Sequence, residues 1–286
     1  MYFKSNAIYL PIRSFGDFII SASVIKNYSG VKVPVLLPNY FKEIYKAIDG
    51  DLIFDFVSNI NFNNQPAYFE MYKVRNFKNI FRLLNDIKIT SELDSSKNYL
   101  LDFRSRRLSF LNKNFSWPND HENIYQAKYK LFKKFFPLKD ENLCKIPLQS
   151  SKFSNVIIFP ESRIQSKEIN NKLLFDITSK FPNSDITIAR YSSNCKNHDN
   201  KRSTIYYSNF DQLIKLINCN DLVISAESLP YHLASFYNKP HFVVYQQTKH
   251  FKATFMTAFM NKNSYYTTFD GTNTAAVLTK LDTVIA

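Results

Sequence analysis

Short apolar runs alternate with amphipathic segments along the whole chain. Four to six consecutive apolar residues are typical of buried strands, and apolar residues at spacings of three and four indicate helices with one buried side. Strands are predicted at residues 7–12, 33–37, 52–57, 99–103, 155–159, 184–190, 203–207, 222–225 and directly after Pro240. Helices are predicted at residues 18–28, 39–48, 73–88, 120–136, 170–181, 209–218, around His232 and at 272–285. This alternation predicts the α/β class with parallel sheets.

One segment interrupts the alternation. Residues 137–154 have no periodicity and contain two prolines and a pair of serines, which is typical of a linker. With 286 residues the chain has room for two domains of ordinary size. We therefore predict two Rossmann-like domains, residues 1–150 and 151–286, that face each other across a cleft. Packing of the last helix back on the first domain is left open.

The composition limits the function classes. No apolar run is long enough for a transmembrane helix, and the first run contains Pro11 and is closed by Arg13, so neither a membrane span nor a signal peptide is predicted. The expected location is the cytoplasm. The three cysteines are far apart in the sequence, which predicts neither a disulfide framework nor a zinc site.

The charge suggests the kind of partner. A formal net charge of +13 attracts polyanions, and 16% aromatic residues would suit a protein that rests on the inner face of a membrane. An ordinary solvated basic surface would give the same totals. The four glycines lie far apart, which excludes the glycine-rich dinucleotide fingerprint and the P-loop.

Residues 220–244 carry the clearest motif. In a parallel sheet, ligands bind where strands end and helices begin, and here a strand, a turn at Glu227 and Ser228, and a helix with His232 follow one another. The segment resembles the C-terminal signature of the heptosyltransferases (glycosyltransferase family nine), with Glu227 in place of an aspartate and Leu229 in place of a glycine. The matching positions are Asp221, Leu222, Val223, Ile224, Ser228, His232, Leu233, Ala234 and Pro240.

A second motif lies between the first strand and the first helix. Ser14, Gly16, Asp17, Ile19 and Ser21 resemble the family's S-x-G-D block. On physical grounds alone, an aspartate at a helix start has a simple role as a helix cap. The resemblance instead implies that Asp17 is the general base and that Ser14 contacts the acceptor.

Two further segments resemble the family less closely. Residues 160–169 follow a strand and keep Pro160, Ser162 and Lys167 of a family block, but lose its glycine, tryptophan and second proline. Residues 100–125 resemble an arginine-containing turn, which implies Arg104 and Arg107 as acceptor-binding residues. The helix predicted after this turn is basic, and two interpretations of its lysines are open. They form a solvated face, which is the usual role of a charge run, or part of a surface that binds the acceptor. The lysines are Lys128, Lys130, Lys133 and Lys134.

The resemblance implies the two-domain GT-B fold and an inverting transfer of a sugar from a nucleotide sugar, ADP-heptose first, to a lipopolysaccharide or other phosphorylated or lipid-linked glycan. The implied donor-binding residues are Ser162, Lys167, Glu227, Ser228 and His232, although a structural role for His232 is equally open. The resemblance implies no cofactor and no metal. The alternatives are a GT-B enzyme that uses a UDP-, GDP- or CMP-sugar, and a non-catalytic basic polyanion-binding protein on the same fold. Nucleic acid is disfavoured as a partner, because no nucleic-acid motif is present.

Overall fold

The computed structural model describes residues 6–62, 77–102, 114–119, 123–139, 153–192, 204–247 and 264–285. The chain divides into two compact units, Met1–Leu143 and Cys144–Ala286. The division lies within the segment that the sequence predicts as a linker. Each unit is an α/β structure with a parallel sheet, and the predicted fold class is confirmed.

The N-terminal unit contains a five-stranded sheet in the order β3-β2-β1-β4-β5, in which all paired strands are parallel. Its strands are β1 (Ala7–Leu10), β2 (Val33–Pro38), β3 (Phe54–Ile60), β4 (Asn98–Leu101) and β5 (Phe115–Ser116). Its helices are α1 (Phe15–Tyr28), α2 (Lys42–Ala47), α3 (Phe77–Ser91) and α4 (Ile124–Lys133). From β1 the chain continues to β2 on one side, and β4 lies on the other side. The carboxyl ends of β1 and β4 therefore form a topological switch point, where α/β proteins bind ligands.

Aromatic side chains fill the core of this unit. Tyr9 of β1 is fully buried and stacks against Phe18 and Phe54, and the ring of Phe132 from α4 meets it edge-on. These rings bury large areas, and apolar burial is the main stabilising contribution. The core thus fixes α1 and α4 against the β1 side of the sheet.

The C-terminal unit contains a six-stranded parallel sheet in the order β11-β10-β9-β6-β7-β8. Its strands are β6 (Asn155–Phe159), β7 (Asp185–Tyr191), β8 (Thr204–Tyr207), β9 (Leu222–Ala226), β10 (His241–Gln246) and β11 (Ser264–Phe269). Its helices are α5 (Asn171–Ser179), α6 (Phe210–Cys219), α7 (Leu229–Phe236) and α8 (Thr274–Ile285). The chain leaves β6 towards β7 and leaves β9 towards β10, so the second switch point lies between the carboxyl ends of β6 and β9.

The last helix belongs to the core of the C-terminal unit. Val277, Leu281 and Val284 of α8 are buried in the same apolar cluster as Val244 and Phe269. Asp221, the first residue of the signature, fastens the other end of this sheet, because its Oδ2 accepts hydrogen bonds from the amides of Ser154 at 3.0 Å and Asn155 at 2.9 Å. The signature therefore has a structural part as well as a candidate functional one.

Several expected features differ in the structure. Helix α1 begins at Phe15, three residues before the predicted start, and α4 is shorter than the predicted helix at 120–136. Lys128 does not belong to a solvated face, because its side chain is fully buried beside Asp102. Strands β5 and β11 were not predicted.

Of the cysteines, Cys219 is free and exposed, and Cys144 and Cys195 lie outside the described residues. Among the helices that can be described, none is long and apolar enough to cross a membrane.

His241 makes the stability of the chain depend on pH. Its ring is 3% exposed, and its Nδ1 lies 2.8 Å from the carbonyl oxygen of Lys239. Burial lowers the pKa of His241 from 6.5 to about 4. At a pH between 4 and 6.5, His241 is protonated in the unfolded chain and neutral in the folded chain. The free energy of unfolding is therefore highest above pH 6.5 and decreases as the pH falls towards 4.

We expect the free energy of unfolding to decrease by on the order of 3 kcal/mol between pH 6.5 and 4 because of this one residue. Urea unfolding at pH 7.0, 6.0 and 5.0 measures the slope. His241→Asn should flatten it. The matched control His232→Asn, at a partly exposed histidine, should leave it unchanged. Equal slopes in the wild type and His241→Asn would show that His241 is not the group responsible.

Candidate functional site

The N-terminal cluster consists of Arg13, Ser14 and Asp17, which follow β1 at its carboxyl end. Ser14 caps α1: its backbone is extended, and its Oγ accepts a hydrogen bond from the amide of Asp17 at 3.2 Å. The same hydroxyl donates to Oδ2 of Asp17 at 2.5 Å. A serine before a helix supplies an acceptor to the otherwise unpaired amides of the first turn. The capping position is thus occupied by Ser14, and Asp17 lies three residues into the helix.

Asp17 is held in one orientation at the edge of the sheet. Asp17 is 8% exposed, and Nε of Arg13 lies 3.6 Å from its Oδ2. The Ser14 hydroxyl and the Arg13 guanidinium both lie against its Oδ2. An ionised carboxylate can accept a proton from a hydroxyl group that lies within hydrogen-bond reach.

The C-terminal cluster consists of Ser162, Lys167, Glu227, Ser228 and His232, at the switch point between β6 and β9. Nζ of Lys167 lies 2.8 Å from Oε1 of Glu227, and both side chains are partly exposed. The hydroxyl of Ser162 donates to the carbonyl oxygen of Glu227 at 3.3 Å. The structure therefore brings together two loops that lie far apart in the sequence, with a lysine and a carboxylate paired at their meeting point.

Helix α7 begins directly after this ion pair. Ser228 occupies its cap position, but the hydroxyl donates to the carbonyl oxygen of Ala226 at 3.3 Å and does not cap the helix amides. His232 lies one turn after Ser228, is partly exposed, and has its ring 3.7 Å from that of Tyr231. A helix N-terminus with a nearby lysine is an arrangement that favours anions such as a diphosphate.

Glu161 directly precedes Ser162 and is not among the predicted site residues. Its Oε1 lies 3.1 Å from Nη1 of Arg190, and its Oε2 accepts a hydrogen bond from the amide of Tyr191 at 3.0 Å. Burial and the nearby Glu161 raise the pKa of Tyr207 to about 12. Glu161 thus fastens the loop after β6 to the end of β7. The signal was present in the sequence, because an acidic residue stands where the family block has a glycine.

Some predicted residues cannot be placed. Arg104 and Arg107 lie outside the described residues. Within the described ranges, no group of three or more histidine, cysteine, aspartate or glutamate side chains is arranged to hold a metal ion. Each of the two described clusters is accordingly a candidate site within its own unit.

Solved structures with a similar fold are glycosyltransferases. The E. coli heptosyltransferase WaaC with ADP matches with a TM-score of 0.64 and 10% identity, over 97% of this chain and 99% of that chain. The chain has the GT-B glycosyltransferase fold. The glycosyl transferase family 9 protein from Veillonella parvula matches with a TM-score of 0.64 and 8% identity, over 100% of this chain and 98% of that chain. The E. coli ADP-heptose heptosyltransferase II matches with a TM-score of 0.55 and 11% identity, over 98% of both chains.

The GT-B assignment confirms the fold that the sequence resemblance implied. At these identities the likeness shows the fold alone, and the chemistry has to be argued from the clusters. No protein-family model matches the sequence, and no curated protein matches it.

Proposed function

We propose that the chain is an inverting, metal-independent glycosyltransferase. It moves a sugar, with heptose from ADP-heptose as the first choice, to a lipopolysaccharide or another surface-glycan acceptor. The observation that carries this proposal is the C-terminal cluster, in which Lys167 and the uncapped start of α7 lie together at the switch point of a GT-B sheet.

The C-terminal cluster is the donor site in this proposal. The departing nucleoside diphosphate gains negative charge, which Lys167 and the N-terminal amides of α7 stabilise. The hydroxyls of Ser162 and Ser228 donate to phosphate oxygens, and His232 contacts the diphosphate or holds the turn. Glu227 is released from Lys167 when phosphate binds, and it then faces the ribose or the sugar.

The N-terminal cluster is the acceptor site. Asp17 takes the proton from the acceptor hydroxyl as that oxygen attacks the anomeric carbon, and the bond to the diphosphate breaks on the opposite side. A single direct displacement inverts the anomeric configuration. Ser14, Arg104 and Arg107 bind the acceptor, and the two arginines would suit phosphate groups on it.

Two observations concern the donor. Two similar structures of E. coli WaaC contain ADP and ADP-2-deoxy-2-fluoro heptose, which supports an ADP-sugar. On the other side, Glu161, Glu227 and Leu229 depart from the family motifs, and Glu161 is engaged by Arg190 and Tyr191. These departures favour a UDP-, GDP- or CMP-sugar as the second candidate.

A non-catalytic polyanion-binding protein is the alternative from another class, and the net charge of +13 favours it. Binding to a nucleic acid or another polyanion weakens steeply with salt, whereas binding of a nucleotide sugar in a formed site weakens much less.

The test is a thermal-shift series with ADP, UDP, GDP, CMP and their sugar conjugates at two salt concentrations. A ligand that binds only the folded state raises its melting temperature. A salt-tolerant shift with one nucleotide supports the proposal; no shift with any of them contradicts it.

We further propose that the protein works in the cytoplasm at the inner face of the membrane, through α3. This helix exposes an apolar stripe, with Phe81 71%, Leu84 57% and Ile87 40% exposed, next to the exposed Lys88. Residues three and four positions apart share one side of a helix, so the stripe is continuous. An apolar stripe beside basic residues suits the interface of an anionic membrane.

Phe81→Glu is expected to weaken binding to vesicles that contain anionic phospholipid by about tenfold, because it removes an exposed ring that would enter the membrane interface and adds a negative charge. Co-sedimentation measures the binding. The matched control is Phe175→Glu, at an exposed phenylalanine of α5 that is 60% exposed. Equal losses in both variants, or no binding of the wild type to anionic vesicles, would contradict a role for α3.

A further inference from the structure

Asp102 is a buried carboxylate that the proposed chemistry does not use. It follows β4 directly, at the switch point beside β1, and both it and Lys128 of α4 have fully buried side chains. Its Oδ1 accepts hydrogen bonds from Lys128 Nζ at 2.8 Å, from Ser21 Oγ at 3.3 Å and from the Tyr9 hydroxyl. Its Oδ2 accepts the backbone amide of Ile12 at 3.0 Å. One carboxylate thus joins β1, β4, α1 and α4.

Stability alone is a weak reason for such a group. Burial of two charges is costly, and replacement of a buried ion pair by well-packed apolar residues is often neutral or stabilising. The surrounding core is aromatic and would accept apolar side chains, since Tyr9 is already stacked against Phe18 and Phe54. The fixed orientation that the hydrogen-bonded carboxylate of Asp102 gives to its partners is therefore a better guide to its role than stability.

The contacts of Asp102 lie on both sides of Asp17 in the sequence. Ile12 belongs to the loop that leads to Ser14, and Ser21 lies one turn after Asp17 on α1. Asp102 therefore holds the loop before the proposed base and the helix after it. Burial, together with the charge of Asp102, raises the pKa of Tyr9 well above its ordinary value, so that its hydroxyl stays a donor to the carboxylate.

We infer that Asp102 is a positioning residue that fixes Asp17 for proton transfer, through the amide of Ile12 and the hydroxyl of Ser21. The inference rests on the proposed role of Asp17 as the base. Lys128 supplies the compensating charge. Together with Tyr9 and Ser21 it donates to Oδ1, while Oδ2 accepts the amide of Ile12. A small displacement of a catalytic group lowers the rate strongly. Precise placement of the Asp17 loop therefore explains why a buried ion pair is kept in spite of its desolvation cost.

A double-mutant cycle tests the inference. Asp102→Asn should lower kcat about tenfold to a hundredfold, with an unchanged Kd for the donor nucleotide, because the C-terminal cluster is untouched. In an Asp17→Asn background the same substitution should cause no further loss. Full, independent losses from both substitutions would overturn the inference. Ser21→Ala is a milder variant, should Asp102→Asn not fold, and is expected to show a smaller loss of kcat with the same dependence on Asp17.

A second readout does not depend on activity. In a ¹H–¹⁵N spectrum, Asp102→Asn should shift the amide signals of Ile12, Ser14 and Asp17. The matched control is Asp51→Asn, an aspartate of the same unit whose Oδ1 accepts the hydroxyl of Tyr45 at 2.7 Å, and it should leave those signals and kcat unchanged. Unchanged signals in Asp102→Asn would overturn the positioning role. Shifted signals in a protein that transfers no sugar would instead refute the proposed function and support the contact of Asp102 with the loop.

Discussion

Replacement of Asp17 by asparagine is expected to lower kcat by about a hundredfold to ten-thousandfold, the usual contribution of a general base. Asparagine keeps the size of the side chain and can still accept the hydrogen bond from Ser14, so the loop should keep its form. Its amide cannot take the proton of the attacking hydroxyl. The Kd of the donor nucleotide should stay within twofold of the wild type, since the residues proposed to bind it lie in the other unit. Initial rates and calorimetric titration measure the two quantities.

The control for this variant is Asp211→Asn, which changes an exposed aspartate in the first turn of α6. It alters the charge at a helix start in the same way and lies outside both clusters. It should leave kcat unchanged. Normal turnover in Asp17→Asn, or equal losses in the two variants, would refute the assignment of Asp17 as the base.

Lys167→Met is expected to weaken the binding of the nucleoside diphosphate by about tenfold to a hundredfold, because a hydrogen bond to a charged group contributes about 1.5–3 kcal/mol. Methionine has nearly the same length and removes both the positive charge and the N–H donors. In the wild type the ion pair with Glu227 at 2.8 Å has to open when phosphate binds, so the measured loss includes that cost. Calorimetric titration of the diphosphate is the measurement.

Lys180→Met is the matched control, because Lys180 also forms an ion pair, with Asp282 at 2.8 Å, and is partly exposed. Unchanged affinity in Lys167→Met, or an equal loss in Lys180→Met, would remove Lys167 from the site.

Glu227→Gln then separates the two roles of Glu227. It should strengthen binding of the diphosphate alone, by freeing Lys167, and weaken binding of the intact nucleotide sugar if the carboxylate contacts the sugar.

The architecture was predictable because apolar runs and helical periodicity report burial directly. The parallel α/β class followed from them, and the structure confirms both the class and the GT-B fold. The boundaries were less predictable. With Ser14 as its cap, α1 begins at Phe15, three residues before its apolar side becomes evident at Phe18, and β5 has only two residues, Phe115–Ser116. Such features depend on single hydrogen bonds and on neighbouring strands, which a periodic pattern does not report.

The candidate site was predictable where motifs resembled a family. Ser162 and Lys167 were expected near Glu227 and Ser228, and the structure brings Ser162 and Lys167 into contact with Glu227. Their roles remain predictions. The interpretation of Lys128 as a surface residue was wrong, because a charge run gives no sign that one member has a buried partner. That partner, Asp102, lies 26 residues away in sequence and is identified only by the fold.

The central claim is tested most directly by the anomeric outcome of the reaction. The protein is incubated with ADP-heptose, and with the UDP-, GDP- and CMP-sugars in parallel, together with glycolipids from the cells that encode it. NMR spectroscopy then follows the released nucleotide and the configuration of the new linkage. We predict consumption of one nucleotide sugar, a product with inverted configuration, and loss of both in Asp17→Asn. A product with retained configuration, or no consumption of any nucleotide sugar, would contradict the account.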